Sequence, residues 1–312
     1  MNGPTLPANI VNGRGQPFDS EREGLFFSRL FAALERRMGE AFARTTFVIH
    51  RRAFGEFKGK PIPLGQGDDD KVLIVISDER EVFPVDDYLS YRAVFRAYGF
   101  HDLLAPNVHS FPVSYFNAAG EAEPVPFGER ETSVFFSGYM NRNRVDLFKQ
   151  FCQIGWLPRR NLKGKYPKEA IRRMVSKFYR QRSFNDVWAD AKIGFTEWFA
   201  KGLPPEEYAR VLANSKIALC PPGFESHETI RHWEAMRLGC VIISGPLPNN
   251  RFYRGSPIIQ IRDWSALLPL VADLLAQPDA LEAIHRATTR WWDEVCSEEA
   301  VASYMAEILA GR

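Results

Sequence analysis

Arg231 and Glu234 stand three residues apart, and on a helix that spacing puts both side chains on one face. A guanidinium fork pairs well with phosphate oxygens, and a carboxylate beside it can accept hydrogen bonds from the hydroxyls of a ribose. The same spacing also describes an ordinary surface ion pair, so the surrounding chain has to discriminate. The pair lies within a run from Ser215 to Gly245 that begins with the apolar stretch Lys216-Ile-Ala-Leu-Cys220 and turns at Pro221-Pro222-Gly223. A strand ending at Cys220 and a helix beginning near Ser226 would aim free backbone N–H groups, backed by the helix dipole, at a diphosphate. Gly223 would let backbone approach that ligand closely, and Gly239 would end the helix as a left-handed cap.

The elements needed to hold such a site can be traced along the chain. Residues 1–22 are rich in Gly, Pro, Asn and charge and read as a loosely held arm. Leu25, Phe26, Leu30, Phe31 and Leu34 then mark an amphipathic helix. Lys71-Val-Leu-Ile-Val-Ile-Ser77 is a continuous apolar run and reads as a buried parallel strand, with Asp78 and Glu79 at its end. A helix is expected over Tyr88 to Tyr98, and Asn107 to Val113 is strand-like. The polar, Gly/Pro-rich stretch from Ala118 to Gly128 is the best linker.

Beyond it, strands are expected at Ser133–Gly138, Lys216–Cys220, Cys240–Ser244 and Ile258–Ile261. Helices are expected around 145–151, 227–238, Trp264–Ala276, Asp279–Trp292 and Ser297–Leu309. Strands alternating with helices in both halves imply two doubly wound α/β domains, whose ligands bind beyond the carboxyl ends of the strands. No G-x-G-x-x-G follows an expected strand, which argues against a dinucleotide oxidoreductase.

Bulk properties bound the partners. The 312 residues suffice for two domains, and 45% hydrophobic with 25% charged residues is ordinary globular composition. A formal net charge of +2 gives no global field for nucleic acid. Cys152, Cys220, Cys240 and Cys296 form no C-x-x-C pair and read as reduced, buried thiols rather than metal ligands or disulfides. No apolar stretch approaches the roughly 18–20 residues that span a bilayer, and the first residues lack the pattern of a signal peptide. A cytoplasmic protein is expected, at most peripheral to a membrane.

The run S-K-I-A-L-C-P-P-G-F-E followed by R-H-W-E-A-M-R-L-G-C-V-I-I-S closely resembles the nucleotide-sugar motif of exostosin-like glycosyltransferases. About 30 residues carry the strong match. Weaker similarity lies in Phe135-Phe-Ser-Gly138 with Arg142 and Arg144, and in Asn107 to Val113, so the likeness touches residues 92 to 245. The resemblance implies a GT-B fold, with two Rossmann-like domains facing a central cleft. It implies an inverting transfer from a nucleotide-sugar, often a UDP-sugar, with no prosthetic group and no essential metal. Arg231 would take the diphosphate and Glu234 the ribose, with Gly223, Glu225 and Ser226 beside them. Ile242 departs from a proline common in that family, and the membrane anchor of its eukaryotic members is not transferred to this chain.

On this reading residues 1–125 form the acceptor-side domain and 126–295 the donor domain, while 296–312 form a helix docking back on the first. The acceptor is a carbohydrate or glycoconjugate, for which acidic and lipid-linked kinds are both open, because ten Lys or Arg residues face only Glu169 between Arg159 and Arg182. Arg142 and Arg144 are candidates to neutralise the leaving diphosphate. Asp78 and Glu79, with His109 behind them, are candidates for the base that deprotonates the acceptor. Asp68-Asp69-Asp70 contains the metal-binding D-x-D of the other glycosyltransferase fold, but it precedes an apolar strand rather than following one and reads as a solvated turn. Trp291-Trp292 reads as packing rather than a sugar platform. The alternative is a non-catalytic nucleotide-sugar or glycan-binding module of the same fold.

Overall fold

The computed structural model describes residues 6–13, 15–19, 21–51, 70–76, 78–79, 88–99, 105–152, 190–196 and 202–311. By its contacts the chain divides into two compact units. One comprises Met1–Gly120, Pro248–Gly255 and Trp292–Arg312, and the other Glu121–Leu247 and Ser256–Trp291. Each is built on a five-stranded parallel sheet, so the α/β class expected from the sequence holds.

In the first unit the strands are β1 (Ile10–Asn12), β2 (Thr46–Arg51), β3 (Lys71–Ile76), β4 (Ala93–Arg96) and β5 (Val108–Ser110), adjacent in sequence order. Five of the six β3 residues are buried, as a strand covered on both faces requires. The helix α1 (Gly24–Met38) lays Phe26, Phe27, Leu30, Phe31 and Leu34 into the core, and Phe31 meets Phe47 of β2 edge-on at 5.3 Å. A short helix α2 (Glu40–Arg44) follows it.

Two expectations fail in this unit. Ile10–Asn12 is not part of a loose arm: it pairs in parallel with Phe47–Ile49, and Ile10 is fully buried. The stretch from Tyr88 to Tyr98 is not a helix. Its apolar residues fall at helical intervals, but Ala93–Arg96 forms β4 between β3 and β5, and backbone pairing on both sides outweighs that local pattern.

The second unit orders its strands β10-β9-β8-β6-β7: β6 (Thr132–Tyr139), β7 (Lys192–Thr196), β8 (Ser215–Cys220), β9 (Val241–Ser244) and β10 (Ile259–Gln260). The chain goes from β6 outward to β7, then returns to the other side of β6 as β8. That reversal creates a topological switch point between β6 and β8. The helices are α3 (Asn117–Glu121), which crosses the boundary of the units, then α4 (Val145–Cys152), α5 (Pro205–Ala213), α6 (Ile230–Arg237), α7 (Leu267–Leu275) and α8 (Pro278–Trp291).

The core of this unit joins Val134, Phe136, Phe148, Phe195, Ile217 and Val241. The buried Arg130 guanidinium donates to the carbonyls of Val125, Ser215, Leu238 and Gly239, tying the start of β8 to the turn after α6. Gly239 has φ of 66°, the left-handed conformation expected of a helix-ending glycine. The last helix, α9 (Glu298–Ala310), belongs to the first unit, where Arg36 and Arg37 of α1 bond Glu299; Ser297 caps it by accepting from the Ala300 N–H at 3.3 Å.

Candidate functional site

The sequence pattern and the sheet reversal lead to the same place, the carboxyl ends of β6 and β8. Beyond β6 the chain turns through Asn141, whose side chain accepts from the Asn143 N–H at 2.9 Å, and this turn sends Arg144 inward. Arg144 is buried, and its Nε donates to the Pro222 carbonyl at 3.0 Å and its Nη1 to the Tyr139 carbonyl at 2.8 Å. The side chain thereby bonds the last residue of β6 and the turn just beyond β8. Burial, and then the charge of Arg231, push its guanidinium down to about 9.

Arg231 enters from the other side, in the first turn of α6. Its Nη2 donates to the Ser137 carbonyl at 2.5 Å, and its guanidinium carbon lies 4.9 Å from the centre of the Phe136 ring. Burial alone would lower the Arg231 pKa, but neighbouring Tyr208, Cys220 and Glu234 outweigh it and hold it above its ordinary value. Its Nε is buried with no hydrogen-bond partner among the described residues. A buried unpaired N–H of a charged group is costly, and a ligand oxygen would relieve that cost. Glu234, one turn along the same helix, is only 4% exposed and lies in the same electrostatic cluster.

Gly138 makes this convergence possible. A Cβ at that position would lie 2.8 Å from Arg231 Nη2 and 3.0 Å from Arg144 Nη1. Two cations of like sign, Arg144 buried and Arg231 half-buried, that are brought together in this way favour an anion between them. Forked guanidinium donors of this kind pair well with phosphate or carboxylate oxygens.

The loop from β8 to α6 is fixed in a different manner from the one expected. The helix does not begin near Ser226. It begins at Ile230, with Thr229 in extended conformation as its cap, and the Thr229 N–H donates to Nδ1 of His232 at 3.2 Å. Ser226 uses its hydroxyl one turn earlier, accepting from the Glu228 N–H at 3.1 Å, so Gly223 and Ser226 lie upstream of the helix end. The Gly223 N–H donates to the Ser226 carbonyl at 2.7 Å, and a Cβ on Gly223 would sit 3.0 Å from that oxygen, so the tight turn favours glycine.

Asn143 Nδ2 holds the same loop by donating to the carbonyls of Gly223 at 2.8 Å and Phe224 at 3.0 Å. Arg142 does not join Arg144. It is exposed, 3.5 Å from the Glu225 carboxylate, with its guanidinium 5.3 Å from the centre of the Phe224 ring.

His232 is fully buried, and burial, with Arg231 and Arg144 nearby, depresses its pKa to about 3, so its ring is neutral. Its Nδ1 lies within hydrogen-bond distance of the Thr229 N–H, hydroxyl and carbonyl, and its Nε2 is hydrogen-bonded with Ser244 Oγ at 2.8 Å, which links α6 to the end of β9.

Sequence reasoning missed Tyr208, Asn143 and Gly138. Tyr208 lies on α5, whose start could have been read from Pro205 followed by Glu206 and Glu207. No local pattern marks Gly138 as the meeting point of two arginines 6 and 93 residues away.

In the first unit Asp78 is entirely buried, and its carboxylate accepts from Arg96 at 3.2 Å. His50 stands close enough for Asp78 to act on its charge, while burial keeps the imidazole pKa below its ordinary value. Glu79, next along the chain, is partly exposed, and His109 packs against Phe95 with ring centres 5.6 Å apart. Asp68, Asp69 and the basic stretch from Arg159 to Arg182 lie outside the described residues. Cys220, Cys240 and Cys296 are buried thiols outside any disulfide. Among the described residues, no helix is long and apolar enough to cross a membrane.

No family model matches the chain, and no curated protein matches it. Among solved structures it is similar to sucrose-phosphate synthase from Thermosynechococcus elongatus, at 11% identity and a TM-score of 0.47, over 92% of this chain and 77% of that one. It is similar to an S. aureus TarM mutant in complex with fondaparinux, alpha-GlcNAc-glycerol and UDP, at 9% identity and a TM-score of 0.49, over 95% of this chain and 60% of that one. It is also similar to Anabaena HepE in complex with UDP, at 10% identity and a TM-score of 0.47, over 97% of this chain and 99% of that one.

Proposed function

We propose that this chain is an exostosin-like glycosyltransferase that moves a sugar from a nucleotide-sugar, a UDP-sugar in the first instance, to a carbohydrate or glycoconjugate acceptor. The single observation that supports this reading most is the meeting of Arg144 and Arg231 over Gly138 at the switch point of the second sheet, with Glu234 one turn beyond Arg231. When a glycosidic bond to a nucleoside diphosphate breaks, negative charge grows on the departing β-phosphate. Two cations already held in place by carbonyl oxygens stabilise that charge without having to reorganise. They would do so without an essential metal. Glu234 accepts from the ribose hydroxyls and fixes the nucleoside end.

The transfer inverts the anomeric centre, and it then needs a base for the acceptor hydroxyl. Glu79, which keeps partial exposure, is the better placed of the acidic pair, because Asp78 is enclosed and engaged with Arg96.

The reading is tested by following UDP release from a panel of UDP-sugars in EDTA, with simple glycosides as acceptors, in wild type and Arg231→Ala. Release that depends on Arg231 supports it; no release from any donor, with or without acceptor, contradicts it.

A further inference from the structure

A lone exposed phenylalanine is commonplace on a protein surface. Phe224 differs in being held. It is 42% exposed, and of the three exposed large hydrophobic side chains among the described residues it is the aromatic one. Its own carbonyl and that of Gly223 are clamped by Asn143, and the turn behind it is closed by the Gly223 N–H on the Ser226 carbonyl. Its ring is braced by the Arg142 guanidinium, which Glu225 in turn holds at 3.5 Å. A rigid aromatic surface is thus presented to solvent two residues from Pro222, whose carbonyl receives Arg144.

The order of groups along the chain gives this surface a direction. Arg231 lies in the first turn of α6 and Glu234 in the second. With the diphosphate at Arg231 and the ribose at Glu234, the nucleoside extends along the helix. The opposite end of the diphosphate then points back toward the loop that precedes the helix, and Phe224 belongs to that loop.

We propose that Phe224 is the platform on which the pyranose ring of the donor rests, its C–H face against the phenyl ring and its hydroxyls within reach of Arg142 and Glu225. The contact is amphipathic on both sides, as aromatic contacts to sugars require: an apolar face meets the ring while polar groups at the rim read the hydroxyls. This inference rests on the nucleotide-sugar reading given above.

The test is calorimetric titration of UDP, UDP-glucose, UDP-galactose and UDP-N-acetylglucosamine into wild type, Phe224→Ala and Phe224→Trp, with melting curves as a control for folding. The expected result is UDP affinity unchanged within about twofold in all three proteins. The tightest-binding UDP-sugar should weaken about tenfold in Phe224→Ala and recover in Phe224→Trp. Equal losses for UDP and UDP-sugar would assign the ring to the nucleobase or to loop integrity and overturn the proposal. Unchanged UDP-sugar affinity in Phe224→Ala would overturn it as well. A wild-type protein that binds neither UDP nor any UDP-sugar would overturn the donor reading and this inference with it, a failure recognisable before any variant is made.

Discussion

Arg144 and Arg231 reach the same point from opposite sides: the end groups of both guanidiniums crowd the place a Cβ on Gly138 would occupy, each secured by a backbone carbonyl of β6. The two side chains come from different elements, and Tyr208 and Cys220 act on the charge of both. The space reserved by Gly138 is what allows both to be present.

Gly138→Ala therefore tests the arrangement without removing either arginine. Its methyl group would displace Arg231 Nη2, which is anchored on Ser137, and press on Arg144 Nη1. The expected outcome is a protein that melts close to wild type while its UDP affinity falls at least about tenfold, the worth of one charge-assisted hydrogen bond. Calorimetry on the two proteins checks this.

Asp78→Asn and Glu79→Gln are expected to fail in different ways. Asp78 and Arg96 form an ion pair shielded from solvent, and removing one charge from such a pair costs about 3 kcal/mol. Asp78→Asn should lower the denaturation midpoint markedly. Glu79→Gln should leave the midpoint in place and reduce kcat of sugar transfer about a hundredfold, as loss of a general base does. Chemical denaturation and initial-rate measurements separate the two.

His232 predicts an acid sensitivity of the second unit. Burial, with Arg231 and Arg144 nearby, holds its folded pKa near 3 against the ordinary 6.5. The unfolded chain therefore takes up a proton between those values while the folded chain resists it. Stability from this group is intact above pH 6.5 and drains as the pH falls toward 3, at about 1.4 kcal/mol per unit. His232→Gln should show a shallower acid loss than wild type in urea titrations at neutral pH and about two units lower. Parallel curves for the two proteins would contradict the assignment.

Much of this architecture was legible in the sequence where burial is continuous. The runs that became β3, β6, β8 and β9 each hold an unbroken apolar stretch because both faces of a parallel sheet are covered, and α1 carries apolar residues at helical spacing. The misreadings fell where pairing at a distance decides. Ile10–Asn12 is three residues long and becomes a strand only by lying against Phe47–Ile49, and Ala93–Arg96 becomes one only between β3 and β5.

At the site, spacing and resemblance singled out Arg231 and Glu234, which the structure places on successive turns of α6. The true start of α6 could not be found in this way, since Ser226 and Thr229 are both able to cap a helix and only the imidazole of His232 distinguishes them. Gly138 could be read only as the end of a strand, and Tyr208 not at all, because their closeness to Arg231 is three-dimensional and no short pattern encodes it.

The most direct test of the central claim is calorimetric titration of UDP in EDTA into wild type and Arg231→Ala at neutral pH. The account predicts saturable binding to wild type at micromolar to millimolar concentration and a loss of at least about tenfold in the variant. Absence of UDP binding to wild type, or equal binding by both proteins, would contradict it.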